Sequence, residues 1–332
     1  MIAHTEAPGR FEFADLTPDI ILDAIESVGV FPESGLLALN SYENRVYQFV
    51  DEHKRRWVVK FYRPQRWTDA QIIEEHCFTQ DLLDNDVPVV APERVNGSTL
   101  HHASGYRFAL FPSVGGRQFE VDDLDQIEQV GRYLGRMHRV GQTTTFLHRP
   151  AFSIQSFLTD PAEALASCGM VSASLHNAFF GTLEHVISQA SSQFTDTPFI
   201  RLHGDCHPSN ILWRDGPSIV DLDDCRSGPA IQDLWMMLSG DRQQQLIQLE
   251  TVIEAYEEFH EFNQTELALI EPLRAMRMVH YMAWLAKRWE DPAFPRAFPW
   301  FGTDKYWEQQ ILALKEQLSA LQEPPLRLTP MY

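Results

Sequence analysis

The stretch His203-Gly204-Asp205-Cys206-His207-Pro208-Ser209-Asn210-Ile211-Leu212, followed by Ile219-Val220-Asp221-Leu222-Asp223, sets polar and ionisable side chains between short apolar runs. Polar groups packed among apolar neighbours need hydrogen-bond partners or ligands, so a fold must deliver partners to this segment. An aspartate, an asparagine five residues on and a second aspartate sixteen residues on meet the needs of metal-assisted phosphoryl transfer. Asp205 can accept a hydroxyl proton. The Asn210 amide oxygen and the Asp221 carboxylate are hard oxygen ligands for Mg²⁺ bridging the phosphates of ATP. Asp205 to Asn210 repeats the spacing of a kinase catalytic loop, and Asp221 stands where its metal aspartate follows. The spacing points to an ATP-dependent phosphotransferase.

A second feature agrees. Trp57-Val58-Val59-Lys60-Phe61-Tyr62 places one lysine inside an apolar strand, where an ammonium needs an anionic partner. In a kinase that lysine pairs with a helix glutamate and reaches the α and β phosphates. Glu75, on one helix face with Phe78 and Leu82, is the expected partner, with Glu74 the alternative. Asn40-Ser41-Tyr42-Glu43-Asn44-Arg45 between the first strands has no glycine, so it is no Walker-type loop. Its backbone N–H groups and the Ser41 hydroxyl can still face phosphates. A His/Asp metallohydrolase built on His203, Asp205 and His207, with carboxylates added by Asp221, Asp223 and Asp224, is chemically conceivable, but it leaves Lys60, Asn210 and the break at 112–116 unexplained.

Composition narrows the class. A net charge of -19 argues against a nucleic-acid surface, which relies on clustered Lys and Arg. No export signal and no membrane-length apolar run is apparent. The cysteines at 77, 168, 206 and 225 show no regular spacing and fit a reducing compartment, so a cytoplasmic location is expected.

The chain divides in two. A helix near Pro18 to Ile25 precedes β-rich runs at 36–39, 46–50 and 57–61, a helix at 71–83, and strands near 93–96 and 106–111. Pro112-Ser113-Val114-Gly115-Gly116 then breaks the pattern. We expect an α+β, two-lobed kinase-like fold: residues 1–111 a small antiparallel-sheet lobe that binds nucleotide, 112–116 the hinge, and 117–332 a larger helical lobe holding the catalytic loop. Helices are expected at 127–138, 172–191, 244–262, 265–290 and 305–321. Adenine should meet backbone near Phe111 to Val114. The apolar stripe Trp307, Ile311, Leu314, Leu318 and Leu321 should pack on its own lobe, as in a monomer. Asp223 reads as a solvated turn acid. Trp284, Trp289, Trp300 and Trp307 could form an aromatic cage, but core packing fits them better.

These motifs, with Gly228-Pro229-Ala230-Ile231-Gln232-Asp233-Leu234 and Gly131 to His138, resemble the aminoglycoside phosphotransferase and choline kinase superfamily. More narrowly, residues 40–49, 58–64, 111–120 and the ending Leu328-Thr329-Pro330-Met331-Tyr332 are similar to its bacterial stress response kinase A group. The resemblance implies a cytoplasmic serine/threonine protein kinase, with a protein acceptor and without nucleic-acid or membrane partners. It implies Asp205 as base, Asn210 and Asp221 as Mg²⁺ ligands, Lys60 as phosphate contact, and Ser41 as a loop residue near the phosphates and autophosphorylation site. Choline, sugar or aminoglycoside-like acceptors are the alternative within the superfamily.

Overall fold

Alternation along one strand organises the N-terminal half. The computed structural model describes residues 11–328; the leader and the motif residues Thr329 to Tyr332 lie outside the described residues. Helix α1 (Pro18–Glu26) starts with Pro18 behind the N-cap Thr17 and buries Ile21, Ala24 and Ile25. Strands β1 (Leu37–Ala38), β2 (Arg45–Val50), β3 (Arg56–Tyr62), β4 (His101–Ala103) and β5 (Tyr106–Pro112) form a five-stranded sheet ordered β1-β2-β3-β5-β4. Every pairing in it is antiparallel. Successive side chains of a strand face opposite sides. Trp57, Val59 and Phe61 therefore join Ile21 and Ile25 in one core, while Tyr62 packs with Ile72 and Ala109 in another. That second face is covered by α2 (Asp69–Asp84), which opens with a Thr68/Gln71 capping box. Lys60, even-numbered like Tyr62, is thereby turned toward α2.

The strand expected at 93–96 does not form. Asn96 and Gly97 both take positive φ, 51° and 81°, and the chain reverses tightly through the Val95–Ser98 pair of backbone bonds, so the sheet edge is supplied by His101–Ala103 instead.

After residues 113–116 the chain forms β6 (Arg117–Gln118) and helix α3 (Leu124–Gly141), then α4 (Asp160–Ser167) and α5 (His176–Gln193). Strands β7 (Ile200–Leu202), β8 (Ile211–Trp213), β9 (Pro217–Ile219) and β10 (Arg226–Gly228) follow, then α6 (Ile231–Trp235), α7 (Arg242–Glu257), α8 (Ile270–Lys287), α9 (Ala293–Ala297) and α10 (Asp304–Ala320). The helix expected from 265 begins as a 3-10 turn, Gln264–Leu269, before α8. Helix α3 lies against α7 closely because it presents glycines: a Cβ on Gly131 would stand 2.6 Å from the Val252 carbonyl oxygen. In α10, Trp307, Ile311 and Leu314 are buried, as is Leu321 just past its end, Leu318 is partly buried against the same core, and the helix contacts α5 and α8, so the stripe packs inward.

The segment of interest sits between these layers. β7 pairs with β10, and the hairpin β8–β9 pairs with β6. Ile219 also exchanges backbone bonds with Pro88 and Val90, which ties the hairpin to the sheet-bearing half.

Candidate active site

Asp205 lies on the loop between β7 and β8, and the loop is held from below by one fully buried carboxylate. Asp233, in α6, accepts from the backbone N–H of His203 at 2.8 Å and of Gly204 at 2.9 Å. It also accepts from His138 Nε2 at 3.1 Å, while His138 Nδ1 meets the Tyr256 hydroxyl at 2.9 Å. The chain Tyr256, His138, Asp233 thus runs from α7 through α3 and α6 into the loop. His203 braces the next turn, with Nε2 bonded to the Val220 carbonyl at 2.9 Å and Nδ1 accepting from the Asp205 N–H at 3.3 Å. Gly204 has φ 83°, and a Cβ on it would overlap the Asp224 carbonyl oxygen. The two loops touch there.

The Asp205 carboxylate accepts from Arg277 Nη1, on α8, and lies 3.4 Å from His207 Nε2. Burial alone would raise its pKa, but His207 and Arg277 hold it well below the usual carboxylate range. Asn210 donates its Nδ2 to the Asp205 carbonyl at 3.0 Å, which leaves its Oδ1 as a donor for a cation. Asp221 has φ 63°, an uncommon conformation for a residue with a Cβ, and its side chain is 54 % exposed. Among the described residues no three His, Cys, Asp or Glu side chains gather as a metal cage. A cation held by Asn210 and Asp221 would complete its shell from phosphate and water oxygens, which is the habit of Mg²⁺. The two histidines of the metallohydrolase alternative are taken up in bracing the loop: His203 as above, and His207 through a bond from the Ser209 N–H at 3.2 Å.

Lys60 is buried, with Nζ 3.1 Å from Asp221, 3.1 Å from Asp223 and 3.8 Å from Glu75. Burial works against its charge, yet Asp223, Asp221 and Glu75 hold the ammonium well above the usual lysine range. Glu75 itself is pushed up to about 7 by burial, against the pull of Lys60. Glu74 is occupied elsewhere: its carboxylate accepts the N–H groups of Leu147, His148 and Arg149.

Asp223 is not a solvated turn acid. It is buried, bonded to Asn44 Nδ2 at 3.1 Å and ion-paired with Lys60 and Arg66; burial would raise its pKa, but these cations hold it at about 2. Arg66 reaches on to Asp224 at 2.8 Å. The loop between β1 and β2 is fastened from the far side. Glu43 accepts from Trp284 Nε1 at 2.5 Å and Arg288 Nη2 at 2.8 Å, and Asp291 holds Arg45 and Arg63 at 2.6 and 2.9 Å. Ser41, in that loop, donates to the Asn44 carbonyl at 3.3 Å.

Two cavities meet at Ser41, Asn210 and Asp221. One, about 340 Å³, runs past Lys60, Glu75, Phe111 and Val114. The other, about 630 Å³, runs past Asp205 to Arg277 and the aromatic wall of Tyr42, Tyr281, Trp284 and Phe298. The four-tryptophan cage does not form: of the four only Trp284 lines this cavity, Trp307 is core, and Trp289 packs at a tilt against Phe301, ring centroids 5.0 Å apart. Reading the sequence missed Glu43, Arg66, Arg277 and Asp291. Each acts on a partner far along the chain, 72 residues away for Arg277 and Asp205, and no local pattern marks them.

A family profile described as a phosphotransferase enzyme family matches residues 36–270. Stress response kinase A of Escherichia coli (strain K12) is 55% identical over 323 residues, covering 97% of this chain and 98% of that protein. The serine/threonine protein kinase RdoA of Salmonella typhimurium (strain LT2) is 54% identical over 323 residues, covering 97% of this chain and 98% of that protein. In fold, the chain is similar to a microcompartment-associated aminopropanol kinase (TM-score 0.70, 18% identity, 94% and 99% of the two chains). It is equally similar to an amicoumacin kinase in complex with AMP-PNP, Ca²⁺ and Ami (TM-score 0.70, 15% identity, 92% and 93% of the two chains).

Proposed function

Because the chain belongs to the phosphotransferase enzyme family, in its stress response kinase A group, we propose that it transfers the γ-phosphate of ATP to serine or threonine hydroxyls of a protein substrate. The observation that carries this reading is the meeting of the two cavities at Asn210 and Asp221, with Asp205 on one side and Lys60 on the other. ATP lies in the smaller cavity, its adenine against backbone near Phe111 to Val114 and its phosphates under Lys60 and the Ser41 loop. Glu75 keeps Lys60 aimed at them. Asn210 and Asp221 would hold Mg²⁺, which would supply neutralisation of charge on the phosphates.

Asp205 orients the acceptor hydroxyl and takes its proton as the oxygen–phosphorus bond forms and ADP departs. Its contacts with Arg277 and His207 fix the carboxylate in place for that role. The reading assigns residues 1–111 to a nucleotide-binding lobe, 112–116 to a hinge and 117–332 to the acceptor lobe. A cytoplasmic monomer fits: the four cysteines are free thiols, as a reducing compartment keeps them, and the α10 stripe is covered from within.

Incubation with MgATP should leave phosphate on a serine or threonine, Ser41 first, read by mass spectrometry. Asp205→Ala should leave none, with transfer down roughly 10²- to 10⁴-fold. Wild-type protein that stays unmodified, ignores generic protein substrates and phosphorylates an aminoalcohol or sugar would refute a protein acceptor.

A further inference from the structure

We infer that the hydroxyl presented to Asp205 stands beside a negatively charged group, and that Arg277 reads that group: the acceptor is an acidic segment of a protein. This rests on the protein-acceptor reading above and adds to it the charge of the substrate.

Two observations carry it. The first is that the carboxylates facing the acceptor cavity are already engaged. Asp223 is held by Lys60 and Arg66, and Asp224 by Arg66 and Arg226. Glu43 is held by Trp284 and Arg288, and Asp205 by Arg277; Asp221 pairs with Lys60 and is the proposed metal ligand. An aminoalcohol or amino sugar brings an ammonium that must find an anion when it leaves water, and to find one here it would have to break an existing ion pair.

The second is Arg277 itself. Its side chain is 42 % exposed, against 17 % for Arg66 and 9 % for Arg226, so it is the cavity arginine open to a ligand. Its Nη1 touches Asp205 and, at 3.9 Å, the Met236 sulfur. The Nε–Nη2 edge has no hydrogen-bond partner among the described residues. A guanidinium is a planar fork of donors that takes a carboxylate or phosphate side-on. One edge of the fork steadies the residue that orients the hydroxyl, and the other is free for an anion on the same substrate. The two groups read are then neighbours, as a serine and an adjacent aspartate or glutamate are.

The test uses full-length protein, MgATP and a peptide set with one serine flanked within two residues by Asp or Glu, by Ala, or by Lys. Wild type should favour the acidic peptides over the Ala peptide by roughly tenfold or more in kcat/KM, the scale of one charge-assisted pair, and should disfavour the Lys peptide. In Arg277→Gln the acidic-to-Ala ratio should fall toward one whatever the overall rate, and Arg277→Lys should keep part of it. Peptides phosphorylated without acidic preference, or a preference that survives in Arg277→Gln, would overturn the inference and leave the kinase reading intact. Phosphorylation of aminopropanol with none of any peptide would overturn both.

Discussion

Replacing Asp233 by asparagine changes almost nothing in shape and should still damage the protein. The two carboxylate oxygens accept from the N–H of His203, the N–H of Gly204 and His138 Nε2, with the side chain fully buried. An amide has one accepting end. Whichever way the substituted side chain turns, its NH₂ faces one of the two backbone N–H groups, donor against donor. The loss of a charge-assisted bond is about 1.5–3 kcal/mol, and a buried donor left unpaired is about 1–3 kcal/mol. A destabilisation of about 3 to 5 kcal/mol follows. At roughly 1.4 °C per kcal/mol for a chain of this size, Tm should drop by about 4 to 7 °C. Calorimetric or fluorescence melting of wild type and Asp233→Asn measures this. Turnover should fall as well, because the N–H groups released are those next to Asp205. A Tm within about 2 °C of wild type would show that Asp233 does not brace the loop.

Asp221→Ala should lower ATP affinity much more with Mg²⁺ present than without it, measured by titration calorimetry; equal losses under both conditions would remove Asp221 from the metal site. Glu75 keeps its proton to about 7 in the folded chain, against 4.5 ordinarily. The folded state therefore binds more protons than the unfolded one across that window, and the wild type loses stability as pH rises through it. Glu75→Gln should gain stability relative to wild type between about pH 5 and pH 8, seen in urea melts, while losing activity as Lys60 loosens. Glu74→Ala frees the N–H groups of residues 147–149 and should destabilise by about 1–2 kcal/mol, with faster amide exchange confined to that turn.

What can be read from the chain and what cannot follow one physical divide. Lys60 announces itself because a lone cation in an apolar strand needs an anion, and Glu75 because helical spacing turns it inward beside Phe78 and Leu82. Asp205, Asn210 and Asp221 are local too, set by one loop and one hairpin. Asp223 reads wrongly as a solvated acid because its burial is imposed from elsewhere: Asn44, Lys60 and Arg66 arrive from the sheet-bearing half. Arg277 and Asp291 escape for the same reason. The strand expected at 93–96 fails on backbone rather than pattern, since Asn96 and Gly97 turn the chain before β-rich residues can pair.

At Gly204 the absence of a side chain lets the loop bearing Asp205 rest directly on the carbonyl of Asp224, three residues past Asp221. The separation of Asp205 and Asp221 is therefore gauged by a backbone contact and not by the length of the hairpin between them. Residues added at the exposed tip, Arg214 and Asp215, would bulge into solvent and leave that gauge unread. A single methyl group at 204 would prise the loops apart with the chain length unchanged. The hairpin tip is where this fold can take up extra length, and residue 204 is where it cannot take up even a carbon atom.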